Sequence, residues 1–199
     1  MSMILYLKRI SDADIARLMA TPAGVHAFIE AGRIEPDRGP AYAAARAELM
    51  RQLAGQGLLP PPRLEMRFGV YPFNDVFDAG KMWNGLYFLL TGTDCEGEPP
   101  VNYLFHTPSV GDEDVGYGPA RAISAERAKA LSDYLETLST ADVVARFDGP
   151  RMSALQLYPD IWDEDPADLK TELGDTYDAL KAYCRKCADQ GLGMLCYIS

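Results

Sequence analysis

The segment 78–92 (DAGKMWNGLYFLLTG) is the strongest constraint on how this chain can fold. Asp78 is a favourable N-cap residue, and Gly92 stands where a left-handed residue commonly closes a helix. Between them, apolar side chains recur at helical spacings, namely Met82, Trp83, Leu86, Leu89 and Leu90. This composition is too apolar for a helix that faces solvent. The sequence therefore predicts a central, buried helix on which a sheet and other helices pack.

The rest of the chain alternates short strand patterns with longer helical ones. Strands are predicted at 1–10, 64–70, 101–106 and 194–198, with the last beside residues 3–7. The stretch 64–70 fits an ordered arm on the surface equally well. The stretch 115–121 is predicted to be an edge strand or a strand-to-helix turn. Capping residues and apolar spacing predict helices that open at Ser11, Pro22, Ala41, Ser124, Thr140, Arg151 and Asp165. This pattern favours an α/β or α+β fold, a single three-layer domain with a short mixed sheet and helices on both faces.

The last and longest predicted helix, 165–190, contains the pair Cys184 and Cys187. A reactive thiol pair usually has its pKa lowered by a helix N-terminus, whereas this pair lies near the C-terminal end, where the dipole has the opposite sign. The predicted apolar stripe of the helix consists of Leu169, Leu173, Tyr177, Leu180, Cys184 and Cys187. Both thiols are therefore predicted to be reduced core residues, and the sequence predicts neither a metal site nor a cofactor.

The net charge of −10 is unevenly distributed. Residues 1–60 hold seven Lys and Arg against six Asp and Glu, whereas residues 61–199 hold twelve against twenty-three. Such a surface argues against nucleic acid and anionic membranes as partners, because both need clustered positive charge. A basic protein partner is compatible with it. With no signal-peptide pattern and no long apolar run, the predicted location is the cytoplasm.

The sequence holds no complete catalytic set. His26 and His106 are the only histidines, and His106 is placed at the end of a predicted strand, where it fits either a structural role or a catalytic base. No Gly-x-Ser-x-Gly motif accompanies it. Gly116 and Gly118 partly match the dinucleotide-binding fingerprint, but Arg121 replaces its third glycine. We therefore predict no catalytic residue.

An aromatic and acidic stretch lies directly before the longest helix. Its acids do not follow the ligand spacing of a calcium loop. Tyrosine and tryptophan beside charge are favoured at interfaces. The stretch therefore predicts a protein-recognition patch made of Tyr158, Asp160, Trp162 and Asp163.

Four motifs in fixed order resemble the YfbM-like family of small bacterial proteins. They are the N-terminal MSMILY, the helix KxWxGLxxLLTG from Lys81, the segment GYGPAR at 116–121 and YPxIWD at 158–163. The resemblance spans nearly the whole chain and implies a single YfbM-like domain over residues 1–199, with helices on both sides of a sheet. The family often carries histidine where this chain has Asn84. It implies no activity, cofactor or catalytic residue.

Three hypotheses for the function follow. The first is a non-enzymatic module whose acidic half binds a basic protein partner, for example an immunity-type protein that neutralises a basic toxin. The second is a pocket for a small molecule or anion, with a hydrolase as one alternative, formed where five side chains converge: Trp83, Asn84, Tyr87, Tyr117 and Arg121. In that pocket the planar guanidinium of Arg121 holds the anion. The third is a structural homodimer without a ligand.

Overall fold

A computed structural model describes residues 2–31, 45, 48–49, 51–53, 55–56, 68–69, 71 and 75–199 of the chain. Its five-stranded sheet has the order β2-β1-β5-β4-β3. The strands are β1 (Leu5–Ile10), β2 (Val76–Asp78), β3 (Ser109–Asp114), β4 (Pro119–Ile123) and β5 (Gly193–Ile198). The closing strand β5 lies beside β1, as predicted, with Leu5 opposite Ile198 and Ile10 opposite Gly193.

The α+β class is confirmed, with one correction to the sheet. All four strand pairs are antiparallel, so the predicted mixture of parallel and antiparallel pairs does not occur among the described strands. A parallel neighbour needs a crossover between strands that run in the same direction. Here β5 instead runs antiparallel to both of its neighbours, β1 and β4.

The described helices follow the predicted order. They are α1 (Asp12–Ala20), α2 (Val25–Glu30), α3 (Trp83–Thr91), α4 (Ala125–Glu136), α5 (Thr140–Val144), α6 (Gly149–Ala154) and α7 (Pro166–Asp189). Single 3₁₀ turns span Pro22–Gly24 and Val101–Leu104. Within the predicted helix 41–56, the described residues 45, 48–49, 51–53 and 55 are helical. Most of the predicted strand 64–70 lies outside the described residues.

The predicted N-caps agree with the structure in most cases. The side chains of Ser11, Ser124 and Asp165 accept hydrogen bonds from the first turns of α1, α4 and α7. One prediction is displaced by a residue, because Ser139 rather than Thr140 caps α5. These bonds satisfy backbone donors that a helix leaves unpaired, which explains why local sequence suffices to locate the starts.

The central helix is buried as predicted but begins later. Asp78 belongs to β2, and its carboxylate accepts the Gly80 N–H at 2.7 Å, so its prediction as the N-cap is wrong. The helix begins at Trp83 and ends before Gly92, which has the expected left-handed φ of 78°. Residues 84–90 are all buried. Pairing of β2 with β1 overrides the local helix signal at 78–82.

The predicted strand 101–106 is wrong. Residues 101–104 form a 3₁₀ turn, and the His106 N–H donates to the Asn102 carbonyl at 2.7 Å. The Asn102 side chain also donates to the Gly97 carbonyl at 3.0 Å, which holds the turn against the preceding loop. A short apolar run fits a buried helical turn as well as a strand, so its composition could not separate the two.

Helices cover both faces of the sheet. Leu7, Ile123 and Met194 point to one face, where they pack with buried residues of α3, α4 and α7. Ile10 and Leu195 point to the other, where they pack with buried residues of α1 and α2. The alternation follows from the two-residue period of a strand. No helix in the described ranges is both long and apolar enough to cross a membrane.

Candidate functional site

A cleft of about 460 Å³, here called the Trp83 cleft, opens where the first turn of α3 faces β4 and β5. Six short segments of the chain line it. They are residues 83–84 of α3, residues 94–95 with 104–106, residues 117, 119 and 121 with 196–198, and residues 155–157. Four of the five predicted pocket residues lie on this lining: Trp83, Asn84, Tyr117 and Arg121.

Trp83 forms a half-buried aromatic wall of the cleft. Its Nε1–H donates to the Met3 carbonyl at 3.1 Å, and its ring stacks on Tyr158 with centroids 6.2 Å apart. The Tyr158 hydroxyl in turn accepts the Met3 N–H at 3.0 Å. The indole is therefore held by the N-terminal segment and Tyr158, contacts Phe105 with ring centroids 5.6 Å apart, and lines the cleft with its remaining surface.

Tyr87, the fifth predicted pocket residue, lies beneath the cleft and does not line it. Its side chain is 1% exposed and packs edge-on against Phe105, with ring centroids 4.7 Å apart. Burial, with a smaller contribution from Cys95 and Asp94, raises the pKa of Tyr87 to about 12. The phenol therefore stays neutral at physiological pH and supports Phe105, which is a lining residue.

Asn84 joins two walls of the cleft. Its Nδ2 donates to the Asp94 carbonyl at 2.7 Å, and its Oδ1 accepts the Tyr158 N–H at 2.9 Å. The residue is buried, so the two bonds replace water on both ends of the amide. Asn84 thus fixes the distance between the 94–95 wall and the segment that follows residues 155–157.

Tyr117 stands at the tip of the β3–β4 hairpin. Gly116 and Gly118 on either side have φ of 143° and 91°, and the Asp114 carboxylate accepts both of their N–H groups, at 2.8 and 3.1 Å. These backbone hydrogen bonds lower the pKa of Asp114. The two glycines therefore form a hairpin turn and not a phosphate loop. Both predictions for the stretch 115–121 are therefore wrong. Residues 115–118 form a hairpin turn and not a strand-to-helix turn, and β4, which begins at Pro119, lies between β5 and β3 and not at an edge of the sheet.

Arg121 lies on β4 next to Cys196 on β5, and both line the cleft. The guanidinium Nη1 donates to the Thr107 carbonyl at 2.8 Å. Within the described residues this is its only hydrogen bond, and no carboxylate there forms an ion pair with it. Burial raises the pKa of the Cys196 thiol to about 12, with the nearby guanidinium opposing the shift. The wall therefore presents one fixed cation beside a neutral thiol.

His106, Cys95 and Asp94 form the outer rim. His106 Nε2 lies 2.7 Å from the Cys95 carbonyl oxygen, so the imidazole contacts backbone and not the thiol. The Asp94 carboxylate accepts the Cys95 N–H at 2.8 Å. Burial and the hydrogen bond to Asp94 raise the pKa of Cys95, which keeps the thiol protonated. His106 and Cys95 therefore do not form the thiolate–imidazole pair of a cysteine nucleophile.

Metal binding gains no support from the described part of the chain, where no three His, Cys, Asp or Glu side chains are grouped to hold an ion. The pair Cys184 and Cys187 is buried on the predicted stripe of α7. Burial raises the pKa of both thiols, that of Cys187 to about 12. Their prediction as core residues is confirmed.

The prediction that Trp162 is exposed in a recognition patch is wrong. Trp162 is 2% exposed, its Nε1–H donates to the Leu157 carbonyl at 2.8 Å, and its ring lies against Gly85 of α3. Tyr158 is half-buried against Trp83, while Asp160 and Asp163 are exposed. The two aromatic members thus pack inward because α3 offers them a glycine and an indole to contact.

A family described as "Domain of unknown function (DUF1877)" matches residues 1–197. The chain belongs to this family. The crystal structure of a protein of unknown function, YfbM from Escherichia coli, is similar, with a TM-score of 0.59 and 20% identity over 98% of this chain and 99% of that one. At this identity the likeness concerns the fold alone. It agrees with the predicted YfbM-like resemblance. The comparison with curated proteins finds no match.

Of the sixteen lining residues, twelve were not predicted to form the pocket, and among these Leu155 and Gln156 come from a single turn. They follow α6, where Leu157 N–H donates to the Met152 carbonyl and Gln156 N–H to the Ser153 carbonyl. This is the hydrogen-bond pattern of a Schellman motif, whose left-handed position usually holds glycine. The sequence held one signal for this turn: the predicted helix over 151–157 has no glycine at its C-terminal end, so another residue takes the left-handed position.

Proposed function

We propose that the Trp83 cleft binds a small organic anion and that Arg121 is its charged partner. The observation that carries the proposal is the guanidinium on the cleft wall with a single carbonyl partner among the described residues. A guanidinium has five N–H donors in a planar fork that matches a carboxylate. One bond to Thr107 orients the group and leaves donors for a ligand.

The surroundings of Arg121 support a ligand with negative charge. Arg121, Arg127, Arg146 and Arg151 form no ion pair with a carboxylate among the described residues, and of these four Arg121 is the one that lines the cleft. Trp83 and Asn84 are the first two residues of α3, so the cleft also lies at the positive end of that helix dipole. The Asp94 carboxylate on the rim disfavours ligands with several negative charges.

Titration of benzoate into the protein, followed by calorimetry or by the fluorescence of Trp83, tests the proposal. Replacement of Arg121 by glutamine should abolish binding, and Arg121→Lys should weaken it about tenfold or more, because lysine keeps the charge but loses the fork. Arg146→Gln is the matched control. Arg146 also donates from Nη1 to one backbone carbonyl, that of Leu89 at 3.2 Å, but does not line the cleft. Equal loss in both variants would refute the assignment.

A second candidate, binding of a basic protein partner, retains its electrostatic support. Asp160 and Asp163 are exposed, and residues 61–199 carry the whole excess of negative charge. The support from an exposed Trp162 is lost. Pull-down from native lysate at low and moderate salt, with the double variant Asp160→Asn/Asp163→Asn as control, tests this candidate. A mass measurement in solution separates it from a homodimer without a ligand.

A further inference from the structure

Exposed apolar side chains concentrate at the Trp83 cleft. Among the described residues, four large hydrophobic side chains are exposed: Met19, Leu49, Tyr117 and Leu155. Tyr117 is 43% exposed and Leu155 is 42% exposed, and both line this one cleft. Scattered exposed hydrophobic residues need no explanation, whereas two that line the same concave site beside a cation are typical of a ligand-binding site.

The hairpin holds the backbone of Tyr117 in place before any ligand arrives. The Tyr117 N–H donates to the Ile198 carbonyl at 3.0 Å, and Asp114 binds the backbone on both sides of it. Gly116 is required for this arrangement, because a Cβ there would lie 2.7 Å from the Ser199 Cα. An aromatic side chain on a fixed backbone has only two side-chain torsions to lose when it contacts a ligand.

Gln156 occupies a backbone conformation that glycine adopts more readily. Its φ of 54° is the only positive φ of a non-glycine residue in the described part of the chain. Glycine or asparagine is favoured at this position of a Schellman motif. The glutamine side chain is exposed and lines the cleft, so its amide is available to a ligand. Strained residues of this kind are often found at binding sites.

We propose that the Trp83 cleft selects amphipathic anions, in which a carboxylate is joined to a flat apolar body. The body lies between the Tyr117 ring and the Leu155 side chain, and the Gln156 amide hydrogen-bonds the ligand. This assignment rests on the proposed function, in which Arg121 holds the anionic end. It adds the ligand class and three residues that determine specificity.

The test compares acetate with phenylacetate, which share a carboxylate and differ by an apolar ring. Each compound is titrated into the whole chain by calorimetry. The dissociation constant of phenylacetate should be lower than that of acetate by a factor of about ten or more, because burial of part of a ring accounts for that factor. Tyr117→Ser and Leu155→Ser should each reduce this preference. Both side chains are exposed, so neither variant should lower the thermal midpoint by much.

Gln156 is tested by a pair of variants that keep the backbone relaxed. Gln156→Gly should raise or preserve the thermal midpoint, since glycine suits the left-handed position, and should weaken phenylacetate binding several-fold. Gln156→Asn tolerates the same conformation and keeps an amide, so it should retain more affinity than the glycine variant. An unchanged affinity in Gln156→Gly would remove Gln156 from the proposal.

The outcomes separate this inference from the proposed function. Equal affinity for acetate and phenylacetate, with both lost in Arg121→Gln, would overturn the amphipathic ligand and leave anion binding standing. If neither acetate nor phenylacetate binds at concentrations up to about 10 mM, both proposals are overturned, because a functional site should have a dissociation constant below that concentration. A ring preference that survives Tyr117→Ser and Leu155→Ser would also overturn the assignment, since the ring would then lie elsewhere.

Discussion

The two tryptophans differ in their exposure to solvent although both lie at α3. The six-membered ring of Trp162 packs against Gly85 of α3, and the residue is buried and donates its Nε1–H to a backbone carbonyl. Trp83 begins α3, is half-buried and forms a wall of an open cleft. One indole fills the core and the other borders a space of about 460 Å³.

Three consecutive residues of α3 account for the difference. Successive helical residues point about 100° apart, so neighbours in sequence face different surroundings. Trp83 faces the cleft, Asn84 bridges two of its walls, and Gly85 faces Trp162. The cleft therefore lies next to the core contact between Gly85 and Trp162. Substitutions in the core should lower stability, whereas substitutions in the cleft should weaken binding, so measuring both quantities distinguishes them.

The largest expected effect comes from Gly85→Ala. A Cβ on Gly85 would lie 2.1 Å from Cη2 of Trp162 and within 3.0 Å of two further ring atoms. The overlap outweighs the helix-forming advantage of alanine, and we expect the free energy of unfolding to fall by about 2–4 kcal/mol. Denaturant unfolding followed by circular dichroism measures it.

Gly55→Ala is the control for this prediction. Gly55 is helical, and no described atom lies within 4 Å of a Cβ built there, so alanine should stabilise the protein by about 0.5–1 kcal/mol. Addition of Trp162→Phe to Gly85→Ala should recover part of the loss, because the smaller ring leaves room. Strict additivity of the two substitutions would contradict the described contact.

The next effect is expected from Asn84→Ala. It removes two hydrogen bonds and leaves the Asp94 carbonyl and the Tyr158 N–H without that partner, at a cost of about 2 kcal/mol of unfolding free energy. Asn102→Ala is the matched control, since the Asn102 amide makes one hydrogen bond, to Gly97, and should cost about 1 kcal/mol. Equal losses in thermal unfolding would argue against Asn84 as a bridge between the walls.

The smallest effect on stability is expected from Trp83→Phe. The variant loses the hydrogen bond to the Met3 carbonyl but keeps an aromatic ring against Tyr158, at a cost of about 1 kcal/mol. Benzoate titration should nevertheless show weaker binding, because the ring forms a cleft wall. If stability falls as far as in Gly85→Ala, Trp83 belongs to the core and the contrast between the tryptophans disappears.

Local signals sufficed for much of the fold. Cap residues such as Ser11, Ser124 and Asp165 hydrogen-bond within their own helices, so the sequence around them determines where these helices start. The apolar stripe of α7 likewise identified Cys184 and Cys187 as core residues. Predictions failed where a distant partner decides, as at Asp78, where pairing of β2 with β1 delays the start of α3.

In the cleft, too, some features could be predicted from local sequence and others depend on a distant contact. Its charged residue Arg121 and its aromatic residues Trp83 and Tyr117 are recognisable by side-chain type, and the structure places them on one lining. The burial of Trp162 depends on a glycine 77 positions earlier in the sequence, a contact that no local pattern encodes. Gly85 itself was the available signal, because glycine inside an apolar helix commonly marks a close approach.

The order of strands also determines when the sheet can be completed. β5, residues 193–198, separates the β2–β1 pair from the β4–β3 pair and joins both by hydrogen bonds. During translation the two pairs therefore remain apart until these residues leave the ribosome, and both edges that await β5 carry unpaired backbone groups in the meantime. Closure of the sheet also joins residues that are far apart in sequence, such as Ile10 and Gly193, and pairing over such a separation favours slow folding.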